Sequence, residues 1–216
     1  MWVKYLDSGA YKDEAAKVVE AANNNEHFKP REKQLDPEIQ EERAEVLREV
    51  EGATGITFRV ALEGMEANVA AFVDTGTREA YMTERVLSNK RLALHAAHHE
   101  KNHLDNSIFD IDLEEEINED ALSALLKEVG ESELESVTLV EGFNELSTFK
   151  KHGRNEQSGY KDKEVPLAEK LERLAQTHLG ESLLVAFDAG NLKLLLQRFE
   201  LLGTILALRG QLALAA

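Results

Sequence analysis

Cysteine is absent from all 216 residues, which removes disulfide scaffolds, thiolate zinc fingers, iron–sulfur clusters and cysteine nucleophiles together. Any metal site must draw on His, Asp or Glu. Basic residues are scarce: 25 Lys and Arg face 41 Asp and Glu, a formal charge of −16. That field repels phosphate backbones and anionic lipid, and the sequence has no local basic patch to oppose it, so no nucleic-acid partner is expected. A long apolar run is missing too. The most apolar stretch, LLGTILALRGQLALAA, is interrupted by Arg209 and Gln211 and falls short of the roughly 20 residues of a spanning helix, so no membrane span is expected. The N-terminus, MWVKYLDSGAYKDE, carries charges where a signal peptide needs about 7–15 apolar residues. The cytoplasm is the default compartment, with release from a larger or secreted parent protein as the alternative.

What is present suffices for a core, with 43% hydrophobic residues in a chain of one-domain length. Residues 10 to 24 and 36 to 50 have helical spacing and are separated by the polar NNNEHFKPREKQLDP; Asp36 before Pro37 suits a helix start. Residues 1–54 are therefore expected as an N-terminal helical extension. From Gly55 the pattern turns to β, with GITFRVALEG, ANVAAFVD and AYMT as two or three short antiparallel strands and Asp74 to Arg78 as a hairpin tip. Ser88 is expected to cap the helix NKRLALHAAHHEKNHL. Further helices are expected from Asp112 to Val129 and from about Val137 to Lys150, and three more follow with breaks at Gly180 and Gly190. The expected fold class is α+β, with the principal domain over residues 55–216.

Four of the seven histidines fall within nine residues, His95 to His103. Inside this run His99-Glu100-Lys101-Asn102-His103 is an HExxH sequence. On a helix, His99 and His103 lie one turn apart on one face, so both imidazoles can converge on one metal. Glu100 then stands beside the metal as a carboxylate able to take a proton from water, the arrangement of a zinc hydrolase. His95 and His103 are separated by a rise of about 12 Å along a helix, too far for bonds of about 2 Å to one ion. His98 points about 100° away from the metal face. A hairpin ahead of such a helix offers an edge strand to an extended peptide.

A third protein ligand must come from elsewhere, and glutamates are the candidates. Glu119 lies in LEEEINEDALSALL, where INED resembles the INEA of thermolysin-like enzymes. Glu141 lies in LVEGFNELSTF, with Glu145 one turn later on the same face. Spacing alone leaves both open.

The order of DTGTREAYM, the HExxH helix, VEGFNELST and then GYKDKEVPLAEKLERLAQTHLG resembles the small bacterial zincin-fold metallopeptidases of the minigluzincin type, over roughly residues 55 to 202. The resemblance implies a zincin-like fold with one zinc per chain held by His99, His103 and Glu141. It implies Glu100 as general base, Glu145 beside the ligands, and Tyr160 as a donor to a developing oxyanion. Lys101, Asn102 and Asn144 depart from the residues common at those places; none is a ligand position. The implied activity is zinc-dependent hydrolysis of a peptide or protein substrate. Two rival readings are a catalytically inactive, toxin- or cargo-type zincin-fold interaction domain and a di-iron, hemerythrin-like protein. The N-terminal helices and the apolar C-terminus offer attachment to a protein partner.

Overall fold

The computed structural model describes residues 37–61, 71–74, 79–155 and 158–215. The helix expected within residues 10–24 and the hairpin tip at 75–78 lie outside these residues. By its contacts the chain falls into two units, one ending at Leu104 and one beginning at Asp105.

Among the described residues the first unit begins with α1 (Pro37–Thr54), whose Val46 and Val50 are buried in its apolar cluster. Strands β1 (Phe58–Ala61), β2 (Ala71–Asp74) and β3 (Glu79–Thr83) follow. They form a sheet in the order β1-β3-β2. β2 and β3 are the expected antiparallel pair, Asp74 opposite Glu79. β1 instead runs parallel to β3, Phe58 opposite Ala80 and Val60 opposite Met82, so the sheet is mixed and not purely antiparallel. The register still aligns alternate apolar residues: Phe58, Ala80 and Val73 in one row, Val60, Met82 and Ala71 in the next. Period-two alternation therefore gives one apolar face whichever way β1 runs. On the other face Phe72 stacks on Tyr81 with ring centroids 4.8 Å apart.

A short α2 (Glu84–Leu87) separates the hairpin from α3 (Lys90–Asn106). Ser88 ends α2, its hydroxyl donating to the Arg85 carbonyl. The cap of α3 is Asn89, whose Oδ1 accepts from the Leu92 N–H at 3.2 Å. Both residues are good N-caps, and the one nearer the first helical turn takes the role.

The second unit is helical: α4 (Leu113–Glu116), α5 (Glu119–Val129), α6 (Ser136–His152), α7 (Glu164–Leu179), α8 (Leu183–Asp188) and α9 (Leu192–Ala215). The single helix expected from Asp112 to Val129 is two. Ile117 leaves the helical path in an extended conformation and buries its side chain, and Asn118 caps the new helix by accepting from the Asp120 N–H. Gly130 then stops α5 in left-handed backbone, φ 77°, where a side chain would be strained. The core gathers Phe143, Phe187 and Phe199, with Phe143 at 5.7 Å from Phe187 and 6.1 Å from Phe199 between ring centroids.

Two glycines mark close helix contacts in this unit. A Cβ at Gly142 of α6 would lie 2.4 Å from the Glu164 carbonyl oxygen at the start of α7, and one at Gly203 of α9 would lie 2.4 Å from the Ala121 carbonyl oxygen of α5. A buried carboxylate ties α7 to α8: Glu172 accepts from Gln176 Nε2 (2.7 Å), from the Ser182 hydroxyl (2.6 Å) and from the Leu184 N–H (3.0 Å). No helix among the described residues is long and apolar enough to cross a membrane.

Candidate metal centre

The HExxH segment lies inside α3, beginning about two turns before the helix ends at Asn106. Ala93, Ala96 and Ala97 pack one side of this helix into the apolar cluster of the first unit. A second, polar side is buried as well: His95, His99, Asn102, His103 and Asn106 are all at most 9% exposed. Each of them has another three or four residues away, so they share a single helical face. Glu100 and His98 are half-buried.

The Nε2 atoms of His99 and His103 stand 3.2 Å apart, and the two rings meet edge to face at 72°. Two nitrogens bound to one tetrahedral zinc at bonds of about 2.0–2.1 Å are separated by about 3.3 Å. The pair therefore matches that spacing through the same ring nitrogen on each histidine.

Glu141 belongs to α6, a helix whose residues from Thr138 to Phe149 are all buried. An ordinary surface helix would have turned its glutamates outward. Here Glu141 is 3% exposed and Glu145 1%, and a buried carboxylate is costly unless hydrogen bonds or cations compensate it. Among the described residues His99, His103 and Glu141, all buried, form a group whose ligand atoms lie within 4.8 Å of one another and which could hold a metal ion. Two neutral imidazoles and one carboxylate are a donor set suited to zinc and to other divalent first-row metals.

Glu119 is not part of that group. It is the exposed first residue of α5, where a negative side chain complements the helix N-terminus. The signal was in the sequence: Asn118 followed by Glu119 and Asp120 is a cap with an acidic first turn. Tyr160 is half-buried in the turn ahead of α7 and packs against the core of the second unit; its carbonyl accepts from the Val165 N–H at 3.0 Å.

Sequence reading passed over Glu164, the first residue of α7. Burial raises its carboxyl above the ordinary 4.5, and the charge of Glu141 pushes the same way, against its own backbone N–H and Lys163, which pull it down. The nearest hint was the glycine at 142, which lets the Glu164 backbone approach α6. A groove of about 670 Å³ along α9, lined by Leu192, Leu196, Glu200 and Leu201 among others, includes none of these residues.

No known protein family, no curated protein and no solved structure matches the chain.

Proposed function

We propose that the chain is a zinc-dependent metallopeptidase of zincin-like fold, with His99, His103 and Glu141 holding one zinc ion and Glu100 serving as general base. The observation that carries this reading is the 3.2 Å separation of the two Nε2 atoms, beside a buried glutamate whose ligand atom completes the group. A bound zinc ion supplies Lewis acidity, polarising a carbonyl and lowering the pKa of a water toward about 7.

The chain's own residues divide the remaining work. His99 and His103 offer the Nε2 lone pairs, which leaves the ring proton of each on Nδ1. Glu141 supplies the negative charge that balances part of the ion's. Glu100, next to His99 along α3, takes a proton from the attacking water onto its carboxylate and returns it to the leaving amine. Tyr160 has a phenol able to donate to a developing oxyanion. Among the described strands β2 is an edge strand, and such an edge can hold an extended peptide by backbone pairing.

A second reading, a zincin-like domain used for interaction, draws on the exposed Leu201, Leu208 and Leu212 of α9. The two readings separate on metal analysis combined with a broad peptide-library digest of the parent chain and Glu100→Gln. The peptidase reading expects one zinc in both proteins and cleavage by the parent alone. Equal cleavage by Glu100→Gln overturns the assigned base, and a zinc-loaded parent that cleaves nothing favours the interaction domain.

A further inference from the structure

Gly142 follows the candidate ligand Glu141 directly, and it is one of two sites in the helical unit where a helix backbone lies against a neighbouring helix too closely for a side chain. A Cβ there would meet the Glu164 carbonyl oxygen at 2.4 Å, the carbonyl carbon at 3.0 Å and the Ala168 Cβ at 3.3 Å. The first two of those atoms are backbone, which cannot swing aside as a flexible side chain does. Accommodating even a methyl group requires α6 and the start of α7 to separate or slide. The α7 start is itself held by a backbone turn, with the Val165 N–H donating to the Tyr160 carbonyl and the Leu167 N–H to the Lys163 carbonyl. Contact and turn converge on the one helical turn that carries the ligand.

We infer that Gly142 is a positioning residue of the metal group: its missing side chain seats the α7 backbone on α6, and that seat fixes the Glu141 carboxylate where it can share an ion with His99 and His103. The inference rests on the metal reading above and deepens it. A ligand helix displaced by a fraction of an ångström no longer presents its oxygen at bonding distance, because the bond lengths of a zinc site tolerate little change.

Gly203 supplies an internal control. Its Cβ would also lie 2.4 Å from a carbonyl oxygen, that of Ala121, so an alanine there imposes a closely similar steric insult at the crossing of α5 and α9, which carries none of the three ligands. Zinc affinity is measured by competition with a chromogenic chelator for the parent, Gly142→Ala and Gly203→Ala, with thermal unfolding of each metal-free protein alongside. Both variants should lose stability. Gly142→Ala should in addition bind zinc on the order of tenfold to a hundredfold more weakly, the range seen when the supports of a ligand are lost, while Gly203→Ala should bind as the parent does. Equal affinities in the two variants overturn the inference and leave the metal reading standing. A parent that takes up no zinc overturns the metal reading itself.

Should Gly142→Ala fail to fold, hydrogen exchange on the parent decides the matter. Zinc should slow exchange at the Val165 and Leu167 amides, which lie on the seated turn, more than at the Ala121 to Leu125 turn. Unchanged exchange at Val165 and Leu167 on adding zinc refutes the coupling.

Discussion

His99 and His103 hold their Nε2 atoms 3.2 Å apart on consecutive turns of α3. Two imidazole nitrogens that close, at the separation two ligands of one tetrahedral ion have, suit a shared cation. Zinc should therefore raise the unfolding midpoint of the parent, by an amount equivalent to about 2.7 kcal/mol when free zinc is a hundredfold above its dissociation constant. His99→Ala and His103→Ala should each abolish the rise, and calorimetric melting curves with and without zinc are the check.

Glu141 and Glu119 were the two carboxylates that spacing left open, and they differ in the structure by burial and place. Replacing Glu141 by Gln keeps the shape of the side chain and removes its charge. Zinc affinity should fall at least about a hundredfold, since a ligand contributes more than its supports do. Glu119→Gln should bind zinc as the parent does and lose only a few tenths of a kcal/mol from the α5 N-terminus. Loss of zinc in the Glu119 variant alone would reverse the assignment.

Glu164 gives a dependence on pH whose sign follows from its environment. Burial, aided by the charge of Glu141, raises its carboxyl above 4.5 in the folded protein. The folded state therefore holds a proton more tightly than the unfolded chain, so this group's contribution favours folding at low pH and is lost as pH rises through the folded value. Glu164→Gln removes that loss. The metal-free variant should be more stable than the parent at neutral pH, with the gap closing as pH falls toward and below 4.5. A gap that widens on acidification would contradict the assignment; denaturant midpoints across pH measure it.

Glu172 lies outside the metal group and serves as a structural contrast. Its carboxylate satisfies the Ser182 hydroxyl and the Leu184 N–H in a site where Glu172 is 4% exposed. Glu172→Ala strands those donors and should cost about 2–4 kcal/mol of stability, with zinc affinity unchanged. Chemical denaturation and the same chelator competition test both halves of that expectation.

The local features of the chain were largely legible. The bounds of α3, the β2–β3 hairpin and the helix stops at Gly130 and Gly180 follow from spacing, caps and glycines, which act over a few residues. The HExxH pair is legible for the same reason, because four residues on a helix fix one face. What was not legible depends on contacts far apart in sequence. β1 pairs in parallel with β3 and not with its sequence neighbour β2, and four residues of alternation read alike in either direction. Ile117 breaks a helix because its side chain is drawn into the core, a demand invisible to periodicity. Glu141 and Glu145 resemble surface residues in sequence, and only the burial of α6 from Thr138 to Phe149 takes them out of solvent. Glu164 carries no motif, and its importance comes from a glycine in another helix.

The three bonds gathered by Glu172 have a kinetic consequence. The carboxylate belongs to α7, while two of its donors, Ser182 and Leu184, belong to the start of α8. Neither the last turns of α7 nor the first turn of α8 can fray without exposing the same buried charge, so the connection between them opens as one cooperative step instead of two independent ones. The Gly180 bend, which in isolation would be a weak point, is thereby the inside of a closed clasp, and its amides should exchange with those of the helices on either side.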